Sequence, residues 1–191
     1  MVRFLMVAVF ILSSAVASFA AAPINKKPAD GIYRQYYETG VVQREEHYKN
    51  YVLDGTAKTF YEDGGLASTA TYVAGKRQGY GQTFYKNGKV QTEVNFLNDE
   101  IDGPLKQYYE TGELQRESIY KAGRLQGATK LYYLNGVIQK QMTYVGGTLN
   151  GSAAEFSEQG QLVAQEEYKD GNRTSRKEFD QALVASEEKK K

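Results

Sequence analysis

The 191-residue chain has no Cys, no Trp, one His and only three Pro. Without Cys there is no disulfide, thiolate metal site or cysteine nucleophile, and one His cannot supply the paired ligands or relay that most metalloenzymes and hydrolases use. An excess charge of one sign is also missing, since 24 Lys and Arg stand against 23 Asp and Glu. That balance removes the basic footprint of a nucleic-acid binder. No cofactor, no metal and no nucleic-acid partner are therefore expected. What the chain has in excess is 19 Gly and 16 Tyr.

The one long apolar run, Phe4 to Val16, follows Arg3 and ends in Ala17-Ser18-Phe19-Ala20. One positive charge, a short apolar stretch and small residues at its end predict a secretory signal peptide over residues 1–20. Cleavage is expected after Ala20, with Ala22 as the alternative site and an uncleaved anchor as the alternative reading. The processed chain is then exported, periplasmic or extracellular, with no further transmembrane segment and, lacking Cys, no lipid anchor. Residues 21–30 read as a linker, because two prolines among mixed polar residues offer no periodic apolar face.

Gly31, Gly55, Gly79, Gly103, Gly127 and Gly151 recur every 24 residues, and a second series from Gly40 to Gly160 follows nine residues behind. Such periodicity is the mark of a repeat array. It divides the chain into units 31–54, 55–78, 79–102, 103–126, 127–150 and 151–174. Counting from each opening Gly, the fifth place holds Tyr36, Phe60, Phe84, Tyr108, Tyr132 and Phe156. The sixth holds Tyr37, Tyr61, Tyr85, Tyr109, Tyr133 and Ser157; the eleventh is always aliphatic; the seventeenth runs from Tyr48 to Tyr168.

Each unit reads as a β-hairpin: an aromatic-rich run, a tight turn at the second Gly, a second run, then a looser turn to the next unit. The fold class is all-β, an elongated single-layer antiparallel meander of six hairpin repeats and about twelve strands. If the sixth place faces the eleventh, Tyr109, Leu114 and Tyr120 share one side in a tyrosine stripe. The third then faces the fourteenth on the other side, pairing Arg34 with Glu45, Lys106 with Glu117 and Lys130 with Gln141. A bulge at the Gly would shift this pairing by one. In residues 175–191, Phe179 and Leu183 are four apart and Thr174 or Ser175 offers a cap, which predicts a short C-terminal helix covering the open sheet edge.

The pattern Gly-x-x-Lys-x-Tyr-Tyr-Glu-x-Gly-x-Leu-x-x-Glu-x-x-Tyr of residues 103–120 resembles the variant MORN repeat, found in proteins labelled YwqK-family antitoxins. The resemblance spans all six units. It implies a curved β-meander that binds other molecules without catalytic residues, and the antitoxin label implies a toxin as partner.

The chemical candidates are few. His47 is expected to be a solvent-facing strand residue, and residues 98–103, which superficially suggest a calcium loop, lack an acid at the twelfth place, Tyr109. Glu93 and Glu117 could pair as glycan-cleaving carboxylates, but matching lysines favour salt bridging. The expected function is thus an exported, non-enzymatic module binding a protein or envelope polymer, with a toxin-neutralising role as the alternative and a glycan-acting enzyme as a remote one. The expected binding residues are Tyr61, Tyr72, Tyr85, Tyr109, Tyr120 and Tyr133. Tyr33, Tyr51 and Tyr80 lie outside the repeated phases and are read as further contact residues.

Overall fold

A computed structural model describes residues 28–179. The predicted signal peptide, most of the linker and residues 180–191 lie outside them. Among the described residues the chain forms thirteen strands in one antiparallel sheet, ordered as in the sequence. They are β1 (Gly31–Tyr36), β2 (Val42–Lys49), β3 (Val52–Phe60), β4 (Leu66–Val73), β5 (Lys76–Phe84), β6 (Val90–Leu97) and β7 (Glu100–Tyr108), then β8 (Leu114–Lys121), β9 (Arg124–Tyr132), β10 (Ile138–Val145), β11 (Thr148–Phe156), β12 (Leu162–Lys169) and β13 (Asn172–Glu178).

The thirteenth strand corrects the predicted C-terminal helix. Thr174 and Ser175, its proposed caps, sit inside β13, and no helix occurs among the described residues. The physical reason is the pair Asp170-Gly171, both at positive φ, which builds the same two-residue turn that joins earlier repeats and returns the chain along β12. Arg173 and Arg176 then meet Glu166, and the Phe179 amide donates to the Val163 carbonyl. Ladder pairing and two ion pairs outweigh the weak four-residue spacing of Phe179 and Leu183.

The two kinds of turn are reversed from the expectation. Between repeats the chain reverses in two residues, as at Ala122 and Gly123 with φ of 47° and 72°, the geometry of a type I′ hairpin. Within a repeat the loop is longer: the Tyr109 amide donates to the Glu113 carbonyl and the Gly112 amide to the Tyr109 carbonyl.

Register sorts the side chains into two faces. The third-to-fourteenth pairing is observed, and it runs unbroken across all strands through Arg34, Glu45, Lys58, Thr69, Gln82, Glu93, Lys106, Glu117 and Lys130. The sixth-to-eleventh pairing is not: Tyr108, in the fifth place, pairs with Leu114, because the ladder shifts between Gln107 and Tyr108 and leaves Gln115 as the extra residue of a bulge. The same shift recurs in the hairpin of every repeat, for example between Gln35 and Tyr36.

The opposite face carries a central row through Ala57, Ala70, Gly81, Val94, Leu105, Ser118, Thr129, Met142 and Ala153. Ser118 and Thr129 are fully buried there, and their hydroxyls hydrogen-bond at 3.2 Å. With no second layer among the described residues, the cover comes from longer side chains of the same face. Both ends of the row are closed by a buried acid, Glu46 and Glu166, each accepting from the tyrosine two residues on. A polar finish at the two terminal repeats is what an array needs where stacking stops.

Candidate recognition surface

The sixth-place tyrosines form a ladder that joins repeat to repeat. The hydroxyls of Tyr37, Tyr61, Tyr85, Tyr109 and Tyr133 donate to the carbonyls of Phe60, Phe84, Tyr108, Tyr132 and Phe156, each 23 residues on, at 2.5 to 2.9 Å. The acceptor is the residue just before the sixth place of the next repeat, held by Tyr in all but the last, where it is Ser157. At the other end of the strands, side chains just before opening glycines accept from the amide of the following turn: Asp54 from Ala74, Asp102 from Ala122, Gln126 from Gly146. Neighbouring hairpins are therefore stitched along both margins.

This assigns residues 98–103. Asn98 and Asp99 are the two turn residues, Asp99 accepts from the Arg77 amide, and Asp102 lies 3.6 Å from Lys121. The oxygens are engaged in turn building, and no cluster of His, Cys, Asp or Glu suited to a metal ion occurs among the described residues. His47 is half-buried, with Nδ1 2.7 Å from the Thr56 carbonyl oxygen.

Four of the expected binding residues, Tyr61, Tyr85, Tyr109 and Tyr133, thus spend their hydroxyls on the scaffold while their rings stay half-buried. The rings of Tyr61, Tyr109 and Tyr133 wall shallow grooves. One groove of about 280 Å³ is bounded by Tyr109, Gln115, Arg116, Leu131 and Gln139. Another of about 410 Å³ adjoins it, sharing Leu131 and Gln139 and bounded further by Tyr133, Lys140 and Val163. A third of about 470 Å³ lies at the equivalent place near Tyr37 and Tyr61. Tyr72 borders a separate hollow with Val94 and Phe96, where the Arg77 guanidinium stacks 4.2 Å over the Phe96 ring. Tyr120 stands opposite Gly103 and Leu125.

The bulge residues and Arg116 are absent from the expected set. A signal existed in the twelfth-place glutamines Gln43, Gln91, Gln115 and Gln139, which recur in phase. The bulge that gives them meaning has no residue signature of its own.

On the other face, Glu93 accepts from the Tyr108 hydroxyl at 2.8 Å and from the Gln82 amide at 3.3 Å. Hydrogen bonds from Tyr80 hold its carboxyl below the usual range against the pull of burial, with Tyr108, Gln82 and the Lys106 charge assisting. In return, burial first, and then the bond to Glu93 and its charge, push the Tyr80 and Tyr108 phenols up to about 12. Tyr132 is raised likewise by burial and by the Glu117 charge. Glu93 and Glu117 are separated on the sheet by Lys106. Glu93 is thus held by a phenol and an amide within the charged row of the sheet, beside Lys106. Tyr33 packs edge-on against the Tyr48 ring at 6.3 Å, Tyr51 is an exposed turn residue, and Tyr80 is exposed beside Glu93.

Hairpin periodicity, a tyrosine ladder and a single sheet describe a known repeat. The family model for the MORN repeat variant matches residues 29–50, 53–74, 77–98, 101–122 and 125–145. The chain belongs to the MORN repeat variant family. MORN repeats are modules often involved in binding and generally without catalysis. The match covers five units; residues 151–174 continue the same hairpin without being matched. No curated protein matches the chain in sequence.

Proposed function

We propose that this MORN repeat protein is an exported, non-enzymatic binding module that recognises a protein or envelope polymer through its tyrosine-walled face. The observation that carries the reading is the recurrence of grooves in equivalent places, each pairing a ring held by an inter-repeat hydrogen bond with bulge-borne amides. Rigid aromatic walls with adaptable polar groups beside them are the composition of recognition surfaces. Export rests on the apolar leader read in residues 1–20. The YwqK-like form of this reading takes a toxin as the captured partner.

Cell fractionation followed by capture on the processed protein tests address and binding together. Replacing Tyr109 and Tyr133 by Ser removes wall and stitch, whereas replacing both by Phe keeps the wall. Retained capture by the Phe pair with loss in the Ser pair, both still folded, is the expected result. Equal capture by all three proteins contradicts the reading.

A further inference from the structure

The two adjoining grooves on β7 to β12 have a spacing, a lining and a charge that together define an occupant. Equivalent residues of successive repeats, such as Tyr109 and Tyr133, are two strands apart, or ~9.6 Å along the sheet. A polyproline II helix advances ~9.3 Å in its three-residue turn and leaves its carbonyls without internal partners. A segment in that conformation, crossing the strands, presents the same side to each groove once per turn. A β-strand repeats its side chains every ~6.7 Å and falls out of step by the second groove.

The lining fits the same ligand. The hydroxyls of Tyr109 and Tyr133 are committed to the Tyr132 and Phe156 carbonyls, so the rings offer apolar walls of the kind that hold proline-rich segments. Gln115 and Gln139 are exposed at the groove margin and carry amide donors for the ligand's free carbonyls.

Charge fixes the register. Arg116 donates from Nε to Ser118 Oγ at 2.9 Å and makes no ion pair among the described residues. The cation of the neighbouring groove, Lys140, is by contrast held by Glu155 at 2.6 Å and Glu166 at 3.8 Å. One groove therefore carries an uncompensated guanidinium and the other does not. We propose that this trough binds a proline-rich segment of a partner protein in polyproline II conformation, with an acidic side chain placed on Arg116. The proposal rests on the reading of this face as the recognition surface.

The test is a fluorescence anisotropy titration of the processed protein with a labelled peptide of three Pro-Pro-Glu triplets. Saturable binding is expected, at least tenfold weaker for a Pro-Pro-Lys peptide and for a Gly-Gly-Glu peptide of equal charge. Arg116→Gln should weaken it about tenfold. Because Arg116 also supports buried Ser118, Gln139→Glu, at an exposed position on the shared wall, provides a second variant whose added charge should repel the acidic peptide equally. Unchanged binding in both variants, or equal binding of the Gly-Gly-Glu peptide, overturns the proposal. So does the absence of binding by any peptide. Tighter, Arg116-dependent binding of an oligogalacturonate overturns the peptide assignment while leaving this face as a recognition surface.

Discussion

The Tyr109 hydroxyl donates to the Tyr132 carbonyl at 2.7 Å, across the 23 residues that separate one hairpin from the next. It is one rung of a ladder in which a single aromatic side chain both supports the array and walls a groove. Tyr109→Phe keeps the ring and removes the rung, which should cost about 1 kcal/mol, the net worth of a partly exposed hydrogen bond. Chemical denaturation is expected to show that loss with an unchanged β circular dichroism signal, and no change in stability would remove the ladder from the account.

Tyr51 stands in a two-residue turn at φ 63°, where the equivalent place of the later turns holds Gly75, Asp99, Gly123, Gly147 and Gly171. An L side chain in that region costs roughly 1–2 kcal/mol, partly offset for glycine by its greater freedom in the unfolded chain. Its ring is 63% exposed, so little burial is at stake. Tyr51→Gly should therefore stabilise the protein by about 0.5–1 kcal/mol, seen as a higher denaturation midpoint.

Glu166 is almost wholly buried, and the hydrogen bond from Arg176, aided by Arg173, Tyr168 and the Lys140 charge, outweighs burial and draws its pKa down to about 2. A carboxyl depressed in the folded state contributes stability that is complete above its ordinary value of 4.5 and is lost as pH falls towards 2. Glu166→Gln should be less stable at neutral pH and show a flatter decline between pH 4.5 and 2. An identical acid profile in the two proteins would contradict the network.

Tyr80 and Tyr108 have phenols raised to about 12, by burial first and then by Glu93. A raised phenol contributes stability that is complete below its ordinary value of 10 and lost as pH rises through 12. Phenolate absorbance should report late-titrating tyrosines, and Glu93→Gln should bring Tyr80 and Tyr108 among them back towards 10. Burial persists in that variant, so the return is partial.

The 24-residue clock, the hairpin and the pairing of Arg34 with Glu45 were readable because repeated residue types in fixed phase reveal a face even where single propensities are weak. The bulge at Gln115 was not, since a two-against-one pairing is a property of two strands and leaves Gln115 looking like any polar strand residue. Residues 175–178 join a strand where the sequence predicts a helix, because their charged side chains carry no aromatic strand signal and β12 supplies the pairing. The Asp170-Gly171 turn, repeating Ala122-Gly123, was the clue to that strand. Arg116 was invisible as a site residue because its lack of an ion pair is a fact of three dimensions.

Photo-crosslinking during partner capture tests the central claim most directly. A benzophenone side chain is placed at Gln139 on the grooved face or at Lys106 on the charged face, and adducts are read by mass spectrometry. The account predicts a defined partner adduct from position 139 and none from position 106. Adducts formed from position 106 alone would contradict it.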